Sequence, residues 1–81
     1  MTLKDMRRRE GWTLAELARR SGLYAVNLAK WEAWDFADPD GSPKTSRNPL
    51  RMTFRSAHAL AGAFGISMDQ LYDALTDEAE S

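Results

Sequence analysis

Glycine punctuation constrains this chain more than any other feature. Gly11, Gly22 and Gly65 each follow a run with helical periodicity, and Gly11 and Gly65 stand two residues before a hydroxyl side chain able to start the next helix. A glycine just past a helix ends it, because the closing residue takes a left-handed backbone that costs glycine little. The helices between these stops are therefore short. Thr2 is the expected N-cap of a first helix to Glu10, with Asp5 near the positive end of its dipole and Leu3 and Met6 facing inward. Thr13-x-x-Glu16 reads as a capping box opening the second helix, with Trp12 as a hydrophobic staple on Leu17 and with Leu14, Leu17 and Ala18 on the inner face.

The third helix is expected over Tyr24 to Ala33, with Leu28 and Trp31 inward, and Tyr24 is a poor cap for it. Asp35 to Met52 reads as a long loop, carrying Asp38-Pro39-Asp40-Gly41, Ser42-Pro43 and Asn48-Pro49, with Trp34, Phe36 and Leu50 anchoring its ends. Such a length is unusual in a compact domain, and loops of that kind are often functional or mobile. Thr53 caps a fourth helix to Phe64, with Phe54, Ala57, Ala61 and Phe64 on one stripe. Ser67-x-x-Gln70 opens a fifth, where Met68, Leu71, Tyr72 and Leu75 stand at i, i+3, i+4 and i+7. No segment alternates in the manner of a strand. The fold class expected is all-α, a compact five-helix bundle, with residues 1–75 as one domain, a loop insertion over 35–52 and an acidic tail over 76–81.

Composition narrows the function classes. A chain of 81 residues holds one small domain with a modest core. It has no cysteine and one histidine, His58, so disulfides, Cys-ligated metal sites and a His-rich metal centre are excluded. No apolar stretch approaches the ~20 residues of a membrane span, and Arg7, Arg8 and Arg9 are not followed by the apolar region of a signal peptide. A cytoplasmic location is expected. The formal net charge of −1 hides an asymmetry. Residues 1–58 carry all 11 Lys and Arg against seven acids, whereas residues 59–81 carry five acids and neither Lys nor Arg. Lys44, Arg47, Arg51 and Arg55 fall in an interval free of acids. That pattern gives one basic face and one acidic end, and by itself it also fits ordinary solvated charge.

Two short helices joined through Ser21-Gly22-Leu23 form a helix-turn-helix candidate. Together with Leu3, Met6, Arg7, Gly11, Trp12, Thr13, Glu16-Leu17-Ala18, Leu28, Trp31-Glu32 and the run from Ala57 to Tyr72, the chain resembles the phage-repressor-like (Cro/Xre-type) helix-turn-helix DNA-binding domains. The resemblance spans about 60 residues, all but the loop and tail. It implies a lambda-repressor-like bundle, with helix 3 in the major groove of double-stranded DNA. The base-facing positions would be Ala25, Val26, Asn27 and Lys30. Tyr24, Lys44, Arg47, Arg51 and Arg55 would touch the backbone. Arg7 and Glu32 would form a structural ion pair between helices 1 and 3. Helix 5 would make the dimer contact through Met68, Leu71, Tyr72 and Leu75.

The chain departs from the family pattern at several positions. Leu14 stands where the family often has Gln, Tyr24 where Ser or Thr is usual, and Trp34 where Gly is frequent, and the loop is longer. Ala25 and Val26 offer only apolar contact to thymine methyls, which leaves Asn27 and Lys30 as polar readers. Taken without the resemblance, Asn27 and Lys30 read as solvated helix surface. Trp12, Trp31 and Trp34 read as packing residues and His58 as a core or interface residue. The function expected is a sequence-specific transcriptional regulator, a repressor or autoregulator, acting as a homodimer on a roughly palindromic operator. The alternatives are an antitoxin or accessory repressor whose loop or acidic tail grips a second protein, and an interaction module that keeps the helix-turn-helix fold without DNA binding. No cofactor or metal is expected. No nucleophile–base pair, paired-carboxylate site or phosphate loop can be assembled, so an enzyme is not expected.

Overall fold

The computed structural model describes residues 1–80 and the side chains of residues 1–77. Five α-helices follow in chain order: α1 Leu3–Arg9, α2 Leu14–Ser21, α3 Ala25–Glu32, α4 Phe54–Phe64 and α5 Met68–Glu80. No strand occurs among the described residues. The radius of gyration, 11.7 Å, is that expected of a compact chain of 81 residues. No helix among the described residues is long and apolar enough to cross a membrane.

Local chemistry sets the helix ends. Thr2 Oγ1 accepts from the Asp5 amide at 3.1 Å and the Asp5 carboxylate accepts from the Thr2 amide at 3.2 Å, so α1 opens on a complete capping box. The bond from the Thr2 amide, with a lesser contribution from the Thr2 hydroxyl, holds the Asp5 carboxyl below its ordinary pKa. Ser67 and Gln70 make a second complete box at the start of α5, with bonds of 3.0 and 2.9 Å. The box expected at Thr13 is only half formed. Thr13 Oγ1 accepts from the Glu16 amide at 3.1 Å, but the Glu16 carboxylate turns away to Arg19 at 2.6 Å and Arg20 at 2.8 Å. Two guanidinium groups one turn along the helix compete with a single backbone N–H and win, which draws the Glu16 pKa down. Gly22 closes α2 with φ 75° and donates to the Ala18 carbonyl, and Gly65 closes α4 with φ 68°.

The core lies where α2, α3, α4 and α5 meet, with α1 laid against α3. Leu17, Leu28 and Leu60 are fully buried at its centre, and Leu71 and Leu75 close it from the α5 side. The Trp12 ring stacks on Phe64 with centroids 5.4 Å apart, and the Arg20 guanidinium lies over it at 4.5 Å. The segment before α2 is thereby tied to the end of α4, and the indole takes part in an aromatic pair and a cation–π contact.

Four expectations need correction. The inward stripe of α4 is Ala57, Leu60, Ala61 and Phe64, while Phe54 is 80 % exposed. Phe54 occupies the same stripe one turn earlier, where the helix starts beyond the reach of the core. His58 is exposed on α4, which rules out the core position among its two readings. Leu71 and Leu75 are only 2 % exposed, so two of the four residues expected at a dimer contact belong to the chain's own core. Finally, the acidic run from 76 is no separate tail, because α5 continues to Glu80. Neither glycine nor proline follows Gly65 to end it.

Residues 35–52 are not wholly irregular. Two 3-10 turns, Pro39–Gly41 and Pro49–Arg51, punctuate the segment. Asp38 caps the first through the Gly41 amide at 3.1 Å, and Asn48 caps the second through the Leu50 amide at 2.9 Å. Pro49 is buried, Leu50 and Met52 pack on the core, and the second turn rests against α5. The second half of the segment is therefore part of the fold.

Candidate nucleic-acid interface

Helix α3 presents its first turn to solvent. Its N-cap, Tyr24, makes no side-chain capping bond, because a phenol projects too far to reach its own helix N–H groups. Tyr24 is 78 % exposed and Val26 61 % exposed, and Ala25 and Ala29 are exposed beside them. Asn27 and Lys30 are half-buried at the edge of that face, while Leu28 and Trp31 are buried on the opposite one. Two inward anchors at i and i+3 of an eight-residue helix leave Ala25, Val26 and Ala29 outward, as the 3.6-residue period requires.

The orientation of α3 is held from behind. Arg7 Nε donates to Glu32 Oε2 at 2.9 Å, Arg7 Nη2 to Glu32 Oε1 at 2.9 Å, and Arg7 Nη1 to the Trp12 carbonyl at 2.8 Å. Both side chains are largely buried, at 14 % and 9 % exposure. The guanidinium fork matches the carboxylate in a bidentate pair. Its hydrogen bonds to Glu32 raise the Arg7 pKa above the ordinary arginine value, against an opposing effect of burial. One side chain thus joins the start of the chain, the entry to α2 and the end of α3.

The basic segment is tethered to the same helix. The Arg47 amide donates to the Lys30 carbonyl at 3.0 Å, satisfying one of the last carbonyls of α3. Asn27, Arg47 and Arg51 line one cleft of about 720 Å³ between α3 and the start of α4. Trp31 and Trp34 line it too, and the Trp34 ring meets Phe36 edge-on with centroids 6.5 Å apart. The Trp34 Nε1 is buried and has no hydrogen-bond partner among the described residues. Sequence reasoning missed this cleft, since its walls come from segments brought together only by the fold. Lys44 and Arg55 are exposed but do not line it, and Tyr24, Ala25 and Val26 stand outside it.

A second, more apolar groove of about 470 Å³ lies between the 3-10 turn at Pro49, the first turn of α4 and α5. Phe54 and Tyr72, 80 % and 59 % exposed, stand on it with Met68. Among the described residues no group of His, Asp or Glu side chains is arranged to hold a metal ion. Comparison with known protein families, with curated proteins and with solved structures finds no match to this chain.

Proposed function

We propose that the chain is a sequence-specific double-stranded DNA-binding transcriptional regulator of helix-turn-helix type, built on α2, the Gly22 turn and α3. It acts as a repressor or autoregulator in the cytoplasm, by occupying an operator. The observation that carries this reading is the tether between Arg47 and Lys30, which holds an acid-free basic segment against the last turn of a short helix whose first turn is exposed. A helix of that size fits the major groove, and flanking cations neutralise phosphates. Ala25 and Val26 touch thymine methyls, Asn27 and Lys30 supply hydrogen bonds to bases, and Tyr24, Lys44, Arg47, Arg51 and Arg55 contact the backbone.

The regulator pairs with a second copy of itself through the groove beside α5. The exposed Phe54 and Tyr72 give each copy an apolar knob and an apolar rim. Asp69 lies on the α5 wall, and Arg55 follows Phe54 in the first turn of α4. A two-fold axis sets the acidic wall of one copy against the basic edge of the other. Two recognition helices about 34 Å apart then read a roughly palindromic site.

Selection of the purified protein on a random duplex library at ~0.1 M salt tests the reading, since nonspecific phosphate binding is weakened there. A two-fold-related motif is the expected product, and Lys30→Ala and Asn27→Ala each lower affinity for it by about 1–3 kcal/mol. A folded protein that enriches nothing overturns the DNA reading. The exposed apolar pair of Tyr24 and Val26 then favours the antitoxin or interaction-module alternative, with a second protein as partner.

A further inference from the structure

Among the described residues, α3 is the one helix whose exposed side chains include none able to form a hydrogen bond. Its exposed residues are Ala25, Val26 and Ala29, whereas α1, α2, α4 and α5 each expose at least one charged side chain, such as Arg8, Arg19, Arg55 and Asp73. At about 100° per residue the three share a single arc of the helix, bordered by Lys30, and Asn27 lies round toward the cleft that it lines. Packing within the chain does not account for this face, since Leu28 and Trp31 bury the opposite one. The helix behind it is fixed. Arg7 holds the Glu32 carboxylate and the Arg47 amide holds the Lys30 carbonyl, so the arc is presented on a rigid support.

A face of this kind cannot tell bases apart by donors and acceptors. The apolar group that base edges present in the major groove is the C5-methyl of thymine. The base 5-methylcytosine carries the same methyl on the same ring carbon. We infer that the arc of Ala25, Val26 and Ala29 reads C5-methylated pyrimidines, 5-methylcytosine as well as thymine, so that cytosine methylation of the duplex controls binding. The inference rests on the proposed DNA function and goes beyond it in one respect, because the methylation state of a site sets its occupancy along with its sequence. Lys30, at the border of the arc, supplies the donor that suits a neighbouring guanine. Covering one methyl removes about one CH₂ of apolar surface from water, a gain of roughly three- to fivefold in affinity. A two-fold site with one such methyl in each half gains on the order of tenfold.

The test compares duplexes that differ by methyl groups alone. The full chain is selected on two random duplex libraries, one built with cytosine and one with 5-methylcytosine throughout. Fluorescence anisotropy then measures matched pairs at each pyrimidine of the enriched motif, thymine against deoxyuridine and cytosine against 5-methylcytosine. At one symmetric pair of positions the methylated member is expected to bind on the order of tenfold tighter in both comparisons. Val26→Ser with Ala29→Ser, both at exposed positions, brings that ratio close to one with the fold retained, as circular dichroism reads it. Matched pairs that bind alike at every position overturn the inference and leave the DNA function standing. A preference in the thymine comparison without one in the cytosine comparison overturns control by methylation. A ratio that survives the double variant puts the methyl contact elsewhere and overturns the assignment to this arc. A folded protein that binds no duplex from either library overturns the DNA function and the inference together, an outcome distinct from equal binding.

Discussion

Removing the Glu32 carboxylate tests how α3 is oriented. Glu32→Ala leaves the Arg7 side chain, 14 % exposed with its partner in place, with its bond to the Trp12 carbonyl and without its two bonds to carboxylate oxygens. Breaking a fully buried ion pair on one side costs about 3–5 kcal/mol, mostly the desolvation of the charge left behind. Partial access of water to Arg7 lowers that figure, and about 2–3 kcal/mol is expected here. For a domain of this size, each kcal/mol lowers the melting midpoint by roughly 4–8 °C, so the loss is about 10–20 °C. Arg7→Met combined with Glu32→Leu removes both charges and fills their space. That double variant recovers most of the stability, because two hydrophobic residues replace a pair whose net contribution is small. Urea and thermal unfolding followed by far-UV circular dichroism measure both variants. A single variant within about 0.5 kcal/mol of wild type, or a double variant as unstable as the sum of the singles, refutes the reasoning.

Three further outcomes follow from the packing and the caps. Gly22→Ala meets no atom within 4 Å but forces alanine to φ 75°, so the cost is backbone strain alone, about 1 kcal/mol and roughly 4–8 °C in melting midpoint. Leu71→Ala destabilises by about 2–5 kcal/mol in urea melts, whereas Phe54→Glu leaves the melt within about 0.5 kcal/mol and shifts sedimentation equilibrium toward monomer. The reverse pattern would place Phe54 in the core and Leu71 at the interface. Acid titration gives the third. The carboxyls of Asp5 and Glu16 have lowered pKa values in the fold, so their contribution is present above the unfolded carboxylate range near pH 4 and is lost as pH falls through the folded values. Stability measured from pH 6 to 2 falls on the acid side, and Asp5→Asn with Glu16→Gln flattens that fall.

Helix termini could be read along the chain because they depend on residues within four positions of each other. Thr2 with Asp5, Thr13 with the Glu16 amide, Ser67 with Gln70, and the left-handed Gly22 and Gly65 are all of that kind. The Arg7–Glu32 contact spans 25 residues, and only the family resemblance pointed to it. Periodicity put Leu71, Leu75 and Phe54 on apolar stripes but could not tell which of them another helix covers. Burial depends on what lies opposite, and the covering residues of α2, α3 and α4 are distant in sequence. Competition decided Glu16, whose carboxylate had both a cap and two arginines within reach. The cleft of Asn27, Trp34, Arg47 and Arg51 arises only when the 3-10 turn at Pro49 docks on α5 and brings residues 46–53 back beside α3. Local hydrogen bonding set where each helix begins and ends, and long-range packing set which side chains remain free to meet a ligand.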